Sequence, residues 1–163
     1  MKSRKSKVWL VLTLLASVTS MAQAAVSIVT ISVTVLAPLP CTLNGGKPIE
    51  VNFGDEIMTT RIDGSNYRQP VDYGLSCNGP WKNAMRLQIS GAAAGFDGTL
   101  LKTSVNGLGI GLLRDGARIP LNDWQNFTYP SMPKLEAVPV KQNGPTLQTG
   151  EFTASATLRV DYQ

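Results

Sequence analysis

The chain has 163 residues, of which 15 are Lys or Arg, 11 are Asp or Glu and none is His, so its formal net charge is +4. Four of the basic residues lie within residues 1–7, so residues 8–163 hold 11 basic and 11 acidic side chains. This balance gives no support for binding to nucleic acid or to anionic membranes, and the lack of histidine excludes Ser-His-Asp and Cys-His catalytic arrangements.

Residues 1–24 have the pattern of a signal peptide. A positively charged start is followed by a mostly apolar run from Val8 to Val18, and Ala22-Gln23-Ala24 offers small residues at the spacing that a signal peptidase recognises. The apolar run is shorter than the roughly 20 residues that a membrane-spanning helix needs. We therefore predict that residues 1–24 are removed on export and that the remaining chain does not span a membrane.

Residues 25–36 are predicted to form an extended amino-terminal segment. Apolar and polar side chains alternate along residues 29–35, and six of these seven residues are β-branched, which favours a strand over a helix. The apolar positions are Val29, Ile31, Val33 and Val35. The stretch Ala37-Pro38-Leu39-Pro40 is stiff, so this strand can project from the domain that follows and donate itself to the sheet edge of another chain.

Cys41 and Cys77 are the two cysteines of the chain. In an exported protein an even pair favours a disulfide, which would close a loop of about 36 residues and stabilise the fold by roughly 3 to 4 kcal/mol. A metal-binding pair is the weaker alternative, because there is no histidine and two thiolates do not complete a zinc site.

Residues 37–163 are predicted to fold as one all-β domain, because short apolar segments alternate with Gly and Pro along its length. Turns are predicted at Asn44-Gly45-Gly46, Asp63-Gly64, Asp97-Gly98, Asp115-Gly116 and Asn143-Gly144. The predicted strands are 29–36, 49–53, 71–77, 85–89, 100–103, 107–113, 134–140 and 152–162.

The last predicted strand is unusually regular. Apolar residues occupy every second position from residue 152 to residue 162, namely Phe152, Ala154, Ala156, Leu158, Val160 and Tyr162, and only Gln163 follows. A strand of this length needs partners on both sides, or it leaves an edge that invites another chain. An ordinary last strand buried within its own sheet is the alternative.

Several segments together resemble pilins of the chaperone-usher pathway, in particular minor or adaptor subunits of type 1 and P-like fimbriae. The resemblance rests on the signal peptide, the alternating strand before the cysteine and the order of the motifs that follow. These motifs are Pro40-Cys41-Thr42-Leu43, residues 51–54 (VNFG), residues 73–77 (YGLSC), residues 108–112 (LGIGL) and residues 150–163 (GEFTASATLRVDYQ).

The resemblance implies an incomplete immunoglobulin-like sandwich that is completed by a donor strand from another subunit. It implies that a periplasmic chaperone first supplies this strand, and that the protein passes an outer-membrane usher into a surface fimbria that serves cell adhesion. Val29, Ile31, Val33 and Val35 would fill the groove of a neighbouring pilin. Phe152, Ala154, Ala156, Leu158, Val160 and Tyr162 would line this chain's own groove, with the Gln163 carboxylate bound by the chaperone. Such extensions usually carry a glycine where this chain has Val33, so a wider groove or a shifted register is expected.

The sequence gives less support to three other functions. An enzyme is not predicted, since Asp55 and Glu56 are adjacent and would point to opposite faces of a strand; no cofactor or metal is expected. Carbohydrate binding is an alternative, because the chain has aromatic residues near amide and carboxyl side chains, although aromatic residues in a small β domain usually cap the core. These residues are Trp81, Asn122, Asp123, Trp124, Gln125, Asn126, Phe127 and Tyr129. The third alternative is a self-contained secreted β sandwich whose residues 25–36 fold into their own sheet.

Overall fold

The computed structural model of the protein describes residues 40–144 and 146–163. The predicted signal peptide (1–24) and the predicted donor strand with Val29, Ile31, Val33 and Val35 lie outside the described residues. Two short 3-10 helices occur at Asn44–Gly46 and Thr59–Arg61. The strands are β1 (Cys41–Thr42), β2 (Gln69–Pro70), β3 (Ser76–Cys77), β4 (Ala84–Gly91), β5 (Ala93–Ala94), β6 (Asp97–Lys102), β7 (Leu108–Arg114), β8 (Ala117–Ile119), β9 (Trp124–Thr128), β10 (Leu135–Lys141) and β11 (Ala156–Tyr162).

The larger sheet has six strands. Five of them follow the order β2-β10-β7-β6-β5, and the sixth, β8, also pairs with β7. Its central strand β7 is buried on both faces, which explains the run of apolar and glycine residues in its sequence. Gly111 of β7 lies opposite Val138 of β10. A side chain at Gly111 would collide with the guanidinium of Arg118, which lies across this position and donates a hydrogen bond to the Gly64 carbonyl.

Pro139 lies within β10, although proline is normally kept out of central strands because it has no N–H to donate. The N–H of Gln142 donates to the Gly107 carbonyl of the segment leading into β7, so the backbone groups of Pro139 point to the opposite side of β10. On that side β2 pairs only with Glu136 and Ala137. Pro139 is therefore tolerated because the described residues place no strand beside it.

The smaller sheet has the order β11-β4-β9, and all its pairs are antiparallel. In β4, apolar residues alternate with polar ones, so one face points into the core and the other outward. Met85 and Leu87 of β4 are completely buried because a strand flanks them on each side. A separate two-stranded ladder, β1 with β3, places Cys41 opposite Cys77, and the two form the predicted disulfide.

The core lies between the inner faces of the two sheets and confirms the predicted all-β fold. Its buried members are Tyr73, Leu75, Met85, Leu87, Ile89, Leu101, Ile110, Leu112, Ile119, Leu121, Phe127, Leu135 and Ala137. A smaller cluster of Ile62, Leu108 and Leu147 adjoins it through Phe152, which packs against both.

Three strand predictions need correction. Residues 49–53 form no strand, because their backbone has no ladder partner among the described residues, although Ile49, Val51 and Phe53 alternate as predicted and pack on the core. In the predicted strand 71–77 only residues 76–77 form a strand, while Tyr73 and Leu75 are buried without a ladder around them. The predicted strand 152–162 is regular only from Ala156, because the preceding residues turn to the other sheet, where Ala154 bridges to Thr103.

Two of the strands that the sequence pattern did not reveal are β8 and β9. β8 follows the Asp115-Gly116 turn. It has only three residues, which is too short for an alternation of apolar and polar residues to be recognised. β9 has the sequence Trp-Gln-Asn-Phe-Thr. Three of its five residues are polar and only Phe127 is buried, so the sequence did not predict a strand there. The predicted turns are confirmed at Asn44-Gly45-Gly46 and Asp115-Gly116, where each of these residues has positive φ. The turn predicted at Asp97-Gly98 is wrong, because both residues lie in β6 and the chain turns two residues earlier, at Gly95-Phe96.

Candidate functional site: an open sheet edge

β11 is an edge strand of the smaller sheet. Its seven residues pair with β4 from Ala156 opposite Gly91 to Tyr162 opposite Met85. No described strand pairs with the other side of β11. An unpaired strand of this length presents a row of backbone donors and acceptors, which is a template for another strand. We call this unpaired side the open edge.

The direction of the backbone groups follows from one hydrogen bond. The Gln163 N–H donates to the Ala84 carbonyl at 3.1 Å, so Gln163 faces β4. Backbone groups alternate along a strand, so those of Leu158, Val160 and Tyr162 face the open edge. The Tyr162 N–H is capped by its neighbour, because it donates to the Asp161 Oδ1 atom at 2.8 Å. At Leu158 and Val160 the described residues supply no partner for these groups.

The same three residues direct their side chains toward the core. Leu158, Val160 and Tyr162 pack against the core cluster but are only half-buried, whereas Leu87 in the neighbouring strand is completely buried. The difference arises because β4 is covered on both sides and β11 on one. The core is therefore partly exposed at the open edge, which combines unpaired backbone with apolar surface.

A second extended segment with unpaired backbone packs on the same core. Within the described residues, 49–57 takes part in no backbone–backbone hydrogen bond, and Ile49, Val51 and Phe53 are half-buried against the core cluster. The Phe53 ring lies 5.7 Å from the Phe152 ring, just before β11. We call residues 49–57 the flanking segment. Together with β11 it gives the core two boundary segments that could both pair with an added strand.

The predicted groove residues divide into two groups. Phe152, Leu158, Val160 and Tyr162 pack against the core, whereas Ala154 and Ala156 are exposed. Gln163 is exposed, and its side-chain Nε2 donates to the Met85 carbonyl at 2.7 Å, which holds the end of β11 against β4. The alternation therefore located the inward face of the edge strand, while the flanking segment was not assigned to a site.

The outer face of the smaller sheet is polar and internally paired. Arg86 of β4 forms an ion pair with Asp161 of β11 at 3.0 Å, and its guanidinium lies 4.5 Å from the centroid of the Trp124 ring. The ion pair is more than a third exposed and contributes little to stability. Its effect is to cover Trp124, so this tryptophan neither caps the core nor stands free.

The aromatic residues considered for carbohydrate binding are dispersed. Phe127 is in the core, and the Tyr129 hydroxyl accepts a hydrogen bond from the Cys77 N–H. Trp81 does not cap the core either: it is 68% exposed. The described part of the chain thus offers no shared aromatic platform of Trp81, Trp124 and Phe127.

The titration shifts among the described residues mark structural positions. Burial raises the pKa of Tyr73 to about 12, with a further contribution from the negative charge of Asp115, and the Tyr73 hydroxyl donates to the Pro133 carbonyl at 2.7 Å. Hydrogen bonds from the Asn66 and Ser65 backbone lower the pKa of Asp63, and those from Thr99 lower the pKa of Asp97. Asp63 stabilises the turn at residues 63–66, and Asp97 stabilises the start of β6. No described helix is both long and apolar enough to cross a membrane.

Comparisons with known proteins agree on one family. The family model described as fimbrial protein matches residues 29–163. The chain is 41% identical over 160 residues to the fimbrial-like protein YfcQ of Escherichia coli (strain K12), which covers 93% of this chain and 97% of YfcQ. It is 39% identical over 136 residues to the fimbrial-like protein YfcR of the same strain, covering 80% of this chain and 78% of YfcR.

Two solved structures show the same fold. The P pilus adaptor subunit PapF, described in a study of its polymerization reactivity, matches with a TM-score of 0.58 and 26% identity over 76% of this chain and 96% of PapF. The P pilus rod subunit PapA matches with a TM-score of 0.57 and 18% identity over 76% of this chain and 99% of PapA.

Proposed function

The chain belongs to the fimbrial protein family, as a pilin of the chaperone-usher type, and from this premise we propose that it polymerises by donor-strand exchange. In this proposal residues 25–36 insert into the domain of a neighbouring subunit. The open edge of residues 37–163 in turn receives a strand from the next. The subunit is a minor or adaptor component of a surface fimbria that contributes to cell adhesion.

The observation that carries the proposal is the open edge. β11 has unpaired backbone groups at Leu158 and Val160, and its inward side chains leave the core half-covered. An added strand would satisfy the backbone groups and bury the apolar side chains in one step. Strand addition of this kind draws its affinity from main-chain hydrogen bonds and its specificity from alternate side chains.

The same surface explains the need for a chaperone. Before assembly, an uncovered core edge would pair with any available strand and aggregate. A periplasmic chaperone that lends a strand to β11 prevents this, and an outer-membrane usher provides the place where the lent strand is exchanged for a subunit's extension. Residues 1–24 direct the chain into this export route.

The donor half is tested in cells that hold all other subunits of the fimbria. The chain is tagged, and its presence in sheared surface fimbriae is measured by immunoblot. Val33→Asp should abolish incorporation, since it puts a charge into an apolar groove. Thr34→Asp is the matched control: it places the same charge on the other face of the strand and should leave incorporation near the parent level.

The acceptor half is tested in the same assay with a second matched pair. Val160→Asp places a charge on the inward face of β11, and Arg159→Asp places it on the outward face. We expect loss of surface fimbriae containing the first variant and retention of the second. Normal incorporation of both Val33→Asp and Val160→Asp would overturn the proposed function.

A further inference from the structure

Trp81 has a large apolar side chain that is mostly exposed to solvent. It lies in the connection between β3 and β4, and 68% of its surface is accessible. The other exposed large hydrophobic residues of the described chain are the flexible methionines Met58 and Met132. A rigid indole left in water is a common anchor of protein interfaces, where tryptophan is strongly enriched.

The position of Trp81 connects it to the open edge. Its ring meets the Tyr162 ring edge-on, with the centroids 4.9 Å apart and the planes at 66°. Tyr162 is the last residue of β11, and its hydroxyl is buried without a hydrogen-bond partner among the described residues. The Lys82 ammonium lies over one face of the Trp81 ring, 4.7 Å from its centroid, and the other face is left exposed. The two aromatic rings therefore extend the apolar surface of the open edge beyond the end of the strand.

The occupant is indicated by a match within the chain. β11 is seven residues long, and Ala156, Leu158, Val160 and Tyr162 share one of its faces; the last three pack against the core, and Ala156 is exposed at the start of the strand. Residues 29–35, outside the described part, are also seven, with four alternating apolar positions. These four are β-branched and of medium size, which suits a groove whose wall has alanine at one end and tyrosine at the other.

We propose that Trp81 and Tyr162 form the terminal contact for the strand that pairs with β11, and that this strand is residues 29–35 of a second copy of this chain. The inference rests on the proposed function and adds a partner and a contact residue to it. An apolar side chain at the end of the incoming strand covers the exposed indole face, so Trp81 loses water only when the open edge is filled.

The test uses the chain of residues 25–163 and a fluorescein-labelled peptide of residues 25–36. The protein is diluted from denaturant at low concentration with the peptide, and binding is followed by fluorescence anisotropy. Parent protein should bind this peptide and not a scrambled peptide of the same composition. Trp81→Ala should weaken binding by about tenfold or more, the effect typical of an interface anchor.

Trp124→Ala is the matched control, because Trp124 lies under Arg86 on the outer face and should leave the affinity unchanged. Residues 25–163 do not include Trp9, so the emission of the tested protein reports Trp81 and Trp124 alone. Binding should shift the emission to shorter wavelength in the parent and in Trp124→Ala, and should leave that of Trp81→Ala unshifted. Trp81→Gln, which replaces the indole with an uncharged polar side chain, should reproduce the loss of affinity with an unchanged circular-dichroism spectrum.

Equal affinity of the parent and both Trp81 variants would overturn the contact. Binding of the residue 25–36 peptide no tighter than the scrambled peptide would overturn the second copy as occupant. In either case the proposed function stands if Val33→Asp and Val160→Asp still block incorporation in cells, so the two failures are distinguishable.

Discussion

The rings of Phe53 and Phe152 lie 5.7 Å apart and are tilted by 42°, and this contact joins the flanking segment to the start of the edge strand. Phe53 precedes the turn at Gly54, which has positive φ, and Phe152 links the main core cluster to the smaller one. The contact therefore holds the flanking segment and the start of the edge strand together before any strand is added between them.

A double-mutant cycle of Phe53→Leu and Phe152→Leu measures this contact. Each single change should destabilise the chain by about 1 kcal/mol, and the coupling energy should be about 0.5 to 1.5 kcal/mol, as for other aromatic pairs. Urea unfolding of residues 25–163 at low protein concentration provides the free energies of unfolding. A coupling energy near zero would show that the two rings stabilise the fold independently.

A matched pair of leucines reports how far the core is covered. Leu87→Ala in β4 should cost about 3 to 4 kcal/mol, because Leu87 is completely buried. Leu158→Ala in β11 should cost about 1 to 2 kcal/mol in the unassembled chain, because Leu158 is half-buried at the open edge.

Once a donor strand covers the edge, the cost of Leu158→Ala should rise toward that of Leu87→Ala, which itself should stay constant. Urea unfolding of the chain with and without a complementing strand measures both values. Equal costs in the two states would indicate that no strand adds to this side of β11.

Gly91 and Gly111 both lack room for a side chain, but the atoms around Gly91 are buried or in the backbone, whereas those around Gly111 belong to the exposed side chain of Arg118. A Cβ at Gly91, opposite Ala156 of β11, would lie 2.5 Å from a methyl carbon of buried Leu101 and 3.2 Å from the Ser155 carbonyl oxygen. Gly91→Ala should therefore destabilise the chain by about 1 to 3 kcal/mol through overpacking. It should also weaken donor-strand binding, because β11 would shift.

Gly111→Ala is the control for this prediction. It would displace the Arg118 guanidinium, which is exposed and can move, so the loss should be about 0.5 to 1 kcal/mol for one hydrogen bond. Thermal unfolding of both variants shows which of the two substitutions destabilises the chain more. A larger loss for Gly111→Ala would contradict the assignment of Gly91 to the rigid position.

The raised pKa of Tyr73 predicts a loss of stability at high pH. Its folded pKa of about 12 exceeds the ordinary value of 10.0, because burial disfavours the phenolate. The contribution is therefore fully present below pH 10 and is lost as the pH rises from 10 to 12. Tyr73→Phe should remove this part of the pH dependence and cost about 1 kcal/mol at neutral pH, since the bond to Pro133 is lost.

Urea unfolding at pH 7 and at several values between 10 and 12 checks both effects. The parent and the variant should converge in stability as the pH rises. Parallel pH profiles would show that other groups account for the alkaline loss.

The sequence pattern predicted the strands that pair with another strand along most of their length. Met85–Ile89 lies within β4, and the predicted 107–113 and 134–140 lie within one residue of β7 and β10. The pattern failed at residues 49–53 because alternation specifies which face is buried and does not supply a ladder partner. It also missed β9, whose mostly polar sequence becomes a strand because β4 pairs with it.

The sequence by itself determined the all-β class, the cysteine pair and the inward face of the last strand, since these depend on local alternation and residue chemistry. Only the tertiary structure decided that β11 has β4 on one side and no described strand on the other, and that Trp81 reaches Tyr162. The physical reason is that pairing and exposure depend on residues far apart in the chain: Leu158 and Leu87 read alike in sequence, and the number of neighbouring strands makes one half-buried and the other completely buried.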